Sequence, residues 1–154
     1  MDIHDACDFI ILKMQEAGEN LSNLKLQKLL YYTQAWHLAF EKKPLFDTGF
    51  QAWIHGPVSK EIFERFKAEK SLYSEIEMDD IRADFDINSL LEEDKTHISN
   101  VLDVYAQFSG IQLEEMTHNE MPWINARKGV DATVRCENEI SNDDMMRFYS
   151  ARMQ

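Results

Sequence analysis

Residues 22–41, SNLKLQKLLYYTQAWHLAFE, decide the fold. Leu26, Leu29, Thr33, Trp36 and Phe40 are spaced three, four, three and four apart, which is the period of an α-helix. Leu30, Tyr31, Ala35, Leu38 and Ala39 widen that stripe until it covers most of the circumference. A helix so apolar is buried on several sides, so this segment is expected to be the central helix of the molecule. Ser22 supplies an N-cap, and Lys42-Lys43-Pro44 ends the helix because a residue before proline resists the helical region.

Upstream, Ala6, Phe9, Ile10, Met14 and Ala17 recur at helical spacing and predict a helix over about 3–17, stopped by Gly18. Downstream, LFDTGFQAWI (45–54) reads as irregular or short extended structure. His55-Gly56-Pro57 then turns the chain into a third helix, with Pro57 near its first position and Val58, Ile62 and Phe66 on one face. The segment around 76–85 gives a weak signal, read as loops with room for a short helix or strand pair. Ile98, Val101, Leu102, Tyr105 and Phe108 mark an amphipathic helix within 90–108. Ser109 and Gln112 have capping-box spacing for a short helix to about Thr117, another short helix begins at Pro122, and 130–139 is loop or extended. Ser141 and Asp144 give a second capping box, leading to Met145, Phe148 and Tyr149 on one side of a C-terminal helix. The fold class is therefore mainly α: a compact single-domain bundle spanning 1–154 around a central helix at about 22–41. Short β elements are allowed for near 50–54 and 74–86.

At 154 residues with 44% hydrophobic and 11% aromatic content, the chain can bury a core without disulfides or a metal. The formal charge of −12 repels phosphate backbones, so no nucleic-acid binding by the chain itself is expected. Such a surface attracts a basic protein. The charge is concentrated between Glu75 and Asp94, where nine carboxylates face Arg82 as the one arginine or lysine. A solvated acidic face is the common reading of such a run; a dock for a cationic partner is the functional one, with Asp79, Asp80 and Asp84 as its candidates. Cys7 and Cys136 are far apart and fit free thiols in a reducing cytoplasm. Neither a signal peptide nor a membrane span is read from the sequence, so the expected location is cytoplasmic.

Signatures of chemistry are sparse. There is no Gly-rich phosphate loop, no HExxH, no GxSxG and no cysteine pair at zinc spacing. A Cys–His nucleophile using Cys7 or Cys136, and a zinc site from His55, His118 and Cys136, can be written down. Nothing in the local sequence singles them out, and no catalytic residue, metal or cofactor is expected.

Three stretches look more specified than an ordinary core: LQKLLYY with Trp36 (26–36), AWIHGPV (52–58) and MTHNEMPW with Arg127 close behind (116–127). An architectural role is favoured for Leu26, Lys28, Leu29, Tyr31, Trp36, Trp53, Gly56, Pro57, Val58, Thr117, His118, Pro122 and Trp123. In this order and spacing, from about Leu21 to Phe148, they resemble the Panacea domain, the family that includes SocA-like antitoxins and the phage-associated GepA proteins. That resemblance implies a bacterial antitoxin-type, protein-binding domain that neutralises a toxin encoded next to it. It leaves two alternatives, a proteolytic adaptor delivering the toxin to a ClpXP-type protease and an uncharacterised hydrolase. Trp123, Arg127 and Tyr149, with the acidic segment, are named as the partner-binding region.

Overall fold

The computed structural model describes residues 1–153. Seven α-helices and one small β-hairpin follow in the order α1 (Ile3–Glu16), α2 (Asn23–Glu41), β1 (Gln51–Trp53), β2 (Gly56–Val58), α3 (Lys60–Phe66), α4 (Glu92–Tyr105), α5 (Gly110–His118), α6 (Met121–Ala126) and α7 (Asn142–Ser150). Short 3₁₀ turns at Met78–Asp80 and Ile87–Ser89 punctuate the acidic segment.

α2 is the central helix that its sequence predicts. Every residue from Asn23 to Ala39 is buried except the half-buried Trp36. It packs against α1, α4, α5, α7 and β2, so no face is left free over most of its length. Ser22 Oγ accepts the Lys25 N–H at 3.1 Å and starts the helix. Its end is sharper than a proline signal alone: Lys42 adopts the left-handed conformation at φ 61°, and its own ammonium donates to the Ala39 carbonyl at 2.8 Å. That carbonyl belongs to the last turn, where no intrahelical partner remains.

Among the buried polar side chains that interrupt α2's apolar surface, Gln34, Gln27 and Lys28 serve the backbone of neighbouring segments. Gln34 Oε1 accepts the Leu45 and Phe46 N–H groups at 2.8 and 2.9 Å, while Nε2 donates to the Phe46 carbonyl at 3.1 Å. Gln27 does the same for Ser59, accepting its N–H at 2.8 Å and donating to its carbonyl at 3.1 Å. A buried amide thereby stands in for the strand that an irregular segment lacks. Lys28 is the third and reaches β2.

The hairpin differs from the reading of Pro57 as a helix start. Pro57 sits inside β2 opposite Ala52, and α3 begins at Lys60 with Ser59 as its N-cap. The register explains why proline is tolerated. The Ala52 N–H donates to Asn138 and its carbonyl accepts Arg127, both on the far side of β1. Ala52 and Pro57 are thus a non-hydrogen-bonded pair, and the missing N–H of proline leaves no gap. The 138–140 segment flanks β1 through the Ala52–Asn138 bond and an Ile140–Phe50 bond. In the 74–86 region, by contrast, Glu75 makes a single bridge to Ser22 and the remainder turns without pairing as a strand.

The capping box at Ser109 and Gln112 forms in both directions, at 3.1 and 2.8 Å. At α7 Ser141 accepts the Asp144 N–H at 3.2 Å, but the Asp144 carboxylate turns to Asn125 at 2.7 Å. Aspartate is one methylene shorter than the glutamate of a full box.

α1 is fastened through Asp8, which has 0% exposure. Arg65 of α3 and Arg82 of the acidic segment each contact one of its oxygens, at 2.5 and 2.7 Å. Arg65 also donates to the Asp80 carbonyl at 2.9 Å, closing the acidic segment onto α1 and α3. Removing one partner of a buried ion pair strands the other charge. Asp8→Ala is therefore expected to cost about 3–5 kcal/mol in urea or thermal unfolding. Asp5→Ala removes a half-exposed partner of Arg82 and should cost under about 1 kcal/mol.

Candidate functional site

The three specified stretches meet at the hairpin. The carbonyls of Ala52, Trp53 and Ile54 accept Arg127 Nη1 at 2.7 Å, Trp123 Nε1 at 2.8 Å and His118 Nε2 at 2.8 Å. The His118 ring stacks on Trp123 at 4.2 Å and the Arg127 guanidinium lies 5.0 Å from the same indole. A second arm of Arg127 holds the Asp131 and Val134 carbonyls, ordering the loop after α6. From the opposite side Lys28 Nζ donates to the Pro57 carbonyl at 2.9 Å. Gly56 lies between: its φ is +98°, and a Cβ there would stand 2.6 Å from Lys28 Cε and 2.9 Å from Thr117 Oγ1. Glycine is required both for the backbone conformation and for the room.

A second buried network joins α2 to α6 and α7. Tyr32 and Tyr149 each donate a hydroxyl to Glu120 Oε1 at 2.8 Å, and Arg152 reaches Oε2 at 3.1 Å. Burial pushes the Glu120 carboxyl up, with the tyrosines and Arg152 opposing. The Tyr31 and Tyr149 hydroxyls lie 3.3 Å apart, and Tyr32 stacks on Tyr105 at 4.1 Å.

The residues named for partner binding separate into two groups. Asp79 and Asp84 are exposed on the acidic segment. Asp80 is half-buried, accepting the Glu77 N–H at 2.7 Å beside Lys70. Trp123, Arg127 and Tyr149 are 6%, 3% and 0% exposed, so their side chains lie beneath the surface and support it. The exposed side chain beside them is Ile124, at 49%. The chemical alternatives gain no geometry. The Cys7 thiol is buried and pushed up to about 12 by desolvation, which keeps it protonated and inert. Among the described residues no three His, Cys, Asp or Glu side chains gather around a common metal position, and His55, His118 and Cys136 form no such group.

An apolar opening lies between the C-terminal half of α2 and α4, a groove of about 850 Å³. Trp36, His37 and Phe40 line it from α2, and His97, Val101, Val104 and Tyr105 from α4, with Leu45 and Leu91 beside them. Phe40, Leu91 and Val104 are 54%, 61% and 53% exposed, although periodicity assigns Phe40 to the core stripe. Leu38 and Ala39 of the same turn stay buried under α7, which reaches Lys42 through Ser150, so only the Phe40 face of an all-round apolar helix is left uncovered. Trp36 ties groove to scaffold, donating Nε1 to the Tyr105 hydroxyl at 2.7 Å. The His37 and His97 rings meet edge to face at 5.3 Å. His37 Nδ1 lies 2.8 Å from the Lys43 carbonyl and His97 Nε2 2.9 Å from the Thr33 carbonyl, and a carbonyl can only accept. Those nitrogens therefore carry the protons in the neutral rings, leaving each second nitrogen an acceptor. Burial, the largest influence, pushes His97 below its ordinary value. The sequence signal that could have exposed this site is modest: two histidines with no assigned role, His37 among apolar residues and His97 next to Ile98 on the apolar stripe of α4.

The scaffold behind the site carries a measurable signature. Burial pushes the Lys28 ammonium from its ordinary 10.5 down to about 7. Between those values the unfolded chain holds more protons than the folded one, so this contribution to stability grows as pH rises and is lost as pH falls from 10.5 toward 7. Wild type should gain on Lys28→Met by up to about 1.4 kcal/mol per pH unit within that window. Parallel slopes in urea melts of the two proteins would contradict it.

A family model described as "Antitoxin SocA-like, Panacea domain" matches residues 26–124, from the first turn of α2 into α6. Over 73 residues the chain is 32% identical to the Antitoxin SocA of Caulobacter vibrioides (strain NA1000 / CB15N), a stretch covering 47% of this chain. The match spans 39% of that relative, so the chain corresponds to about two fifths of the curated protein's length. No solved structure gives a significant match. The matched region contains the hairpin, Lys28, Gly56, His118 and Trp123, and the chain belongs to the antitoxin SocA-like family, that of the Panacea domain.

Proposed function

We propose that this chain neutralises a toxin encoded beside it by binding that toxin directly, with the groove between α2 and α4 as the grip. Membership of an antitoxin family implies a toxin partner in general, and it favours a non-enzymatic role. The observation that carries the finer reading is the groove itself. It leaves Phe40, Leu91 and Val104 open to solvent on a chain whose formal charge is −12. Exposed apolar patches rimmed by polar groups are characteristic of protein contacts. A buried aromatic centre supplies most of the affinity in such contacts, while charge sets the encounter rate.

The acidic segment plays the second part. Asp79 and Asp84, together with Glu75 and Glu77, are exposed and steer a basic partner toward the face that α4 presents. Trp123, Arg127 and Tyr149 act from below, holding the hairpin and α7 in place. No helix among the described residues is long and apolar enough to cross a membrane.

The test is co-expression in bacteria of the adjacent open reading frame with and without this chain, followed by co-purification. Growth arrest that the chain relieves while forming a stable complex is the expected result. Relief that requires the ClpXP protease would make the chain an adaptor instead, and a harmless neighbour that does not co-purify rejects neutralisation. Within a complex, Asp79→Lys with Asp84→Lys should slow association by about tenfold and flatten its salt dependence, with dissociation nearly unchanged.

A further inference from the structure

The groove's walls restrict what can enter it. Both are helices whose backbone groups are already paired along the helix, so no open strand edge invites an extended peptide. Phe40 stands one turn after Trp36 on α2, and Val104 one turn after Val101's predecessor Asn100 on α4. From His97 to Tyr105 the α4 wall runs about 12 Å at 1.5 Å per residue, the length of a little over two helical turns. An occupant of that length presents apolar anchors at i, i+3 or i+4, and i+7.

The polar groups point to its charge. Glu41 and Glu93 are exposed at the groove and Asp94 is half-buried there, three carboxylates against two cations, Lys43 and the Met1 ammonium, of which the latter already donates to the Leu45 carbonyl at 2.9 Å. Leu91, Glu93 and Asp94 continue the acidic segment into the groove without a break in the chain. His37 Nδ1 and His97 Nε2 face the Lys43 and Thr33 carbonyls, so the ring nitrogen left over when such a ring is uncharged is an acceptor. A donor-rich side chain with an apolar stem matches both features, and arginine and lysine are of that kind.

We infer that the groove binds a two-turn segment of a basic amphipathic helix from the partner protein, seating an apolar stripe between Phe40 and Val104 and placing an arginine or lysine against Glu41, Glu93 and the histidine acceptors. This rests on the proposed protein-binding role and narrows it to a class of partner surface.

The probe is a fluorescently labelled synthetic helix of about 18 residues, five turns, with leucines at i, i+3, i+7 and arginines flanking them. A matched peptide carries glutamates in place of the arginines. Binding to the full chain is read by anisotropy. The arginine peptide should bind, and Phe40→Ser, Val104→Ser and Glu93→Lys should each weaken it by about tenfold. Ile111→Ser on α5, equally exposed but away from the groove, should leave binding within about twofold. Because these positions are exposed, thermal melts of all four variants should match wild type closely. Equal binding of the glutamate peptide, full binding by Phe40→Ser and Val104→Ser, or no binding at all overturns the inference. So does self-association that Phe40→Ser abolishes, which would give the groove to a second copy of the chain. Toxin relief without peptide binding would sink this inference alone; peptide binding without relief by the co-expressed chain would sink neutralisation alone.

Discussion

The fold depends on how the eight-residue β-hairpin, Gln51 to Val58, disposes of its backbone carbonyls. Two strands of three residues cannot satisfy their own polar groups on both edges, and burying such groups unpaired is costly. The chain meets this with side chains brought from far along the sequence. Arg127, Trp123 and His118 take three consecutive carbonyls, and Lys28 takes that of Pro57 from the other side. Because Lys28 lies on α2 and the other three on or beside α5 and α6, satisfying the hairpin also fixes the positions of those helices. The tyrosine cluster on Glu120 then adds α7 to the same frame.

This arrangement explains why a helix can be nearly all buried and still carry Gln27, Lys28 and Gln34. Gln27 and Gln34 complete segments that have no sheet to join, and Lys28 completes the outer edge of β2. It also explains why strongly specified residues contribute so little exposed surface. Trp123 and Arg127 shape what lies above them, while the open groove is lined by residues with weaker sequence signals, Phe40 and Val104 beside the two histidines.

Helix bounds and caps were largely legible in the sequence because they depend on neighbours in the chain. Ser22, Ser109 and Ser141 all accept the expected backbone N–H. α2 was legible as the central helix because its apolar positions leave no polar face. Pro57 was not, since whether a proline before a helix belongs to its first turn or to a strand depends on the side to which Ala52's N–H points. The exposure of Phe40 was equally hidden, because periodicity says which face a residue occupies but not which face the neighbouring helices leave uncovered. Pairing of Asp8 with Arg65 and Arg82 joins positions more than fifty residues apart, and nothing local announces it.

The hairpin also bears on how the chain reaches its structure. Its strands adjoin in sequence, yet the groups that complete it come from Gln27 and Lys28 on one side and from His118 through Arg127 on the other. Forming it closes loops of some thirty to seventy-five residues before any of those bonds is made. Helices α1, α2 and α4 can form from local contacts, but the hairpin can settle only as the long-range contacts arrive. Topology of that kind slows folding relative to a simple bundle of the same length. The hairpin is accordingly a late-forming clasp whose closure locks helices already present.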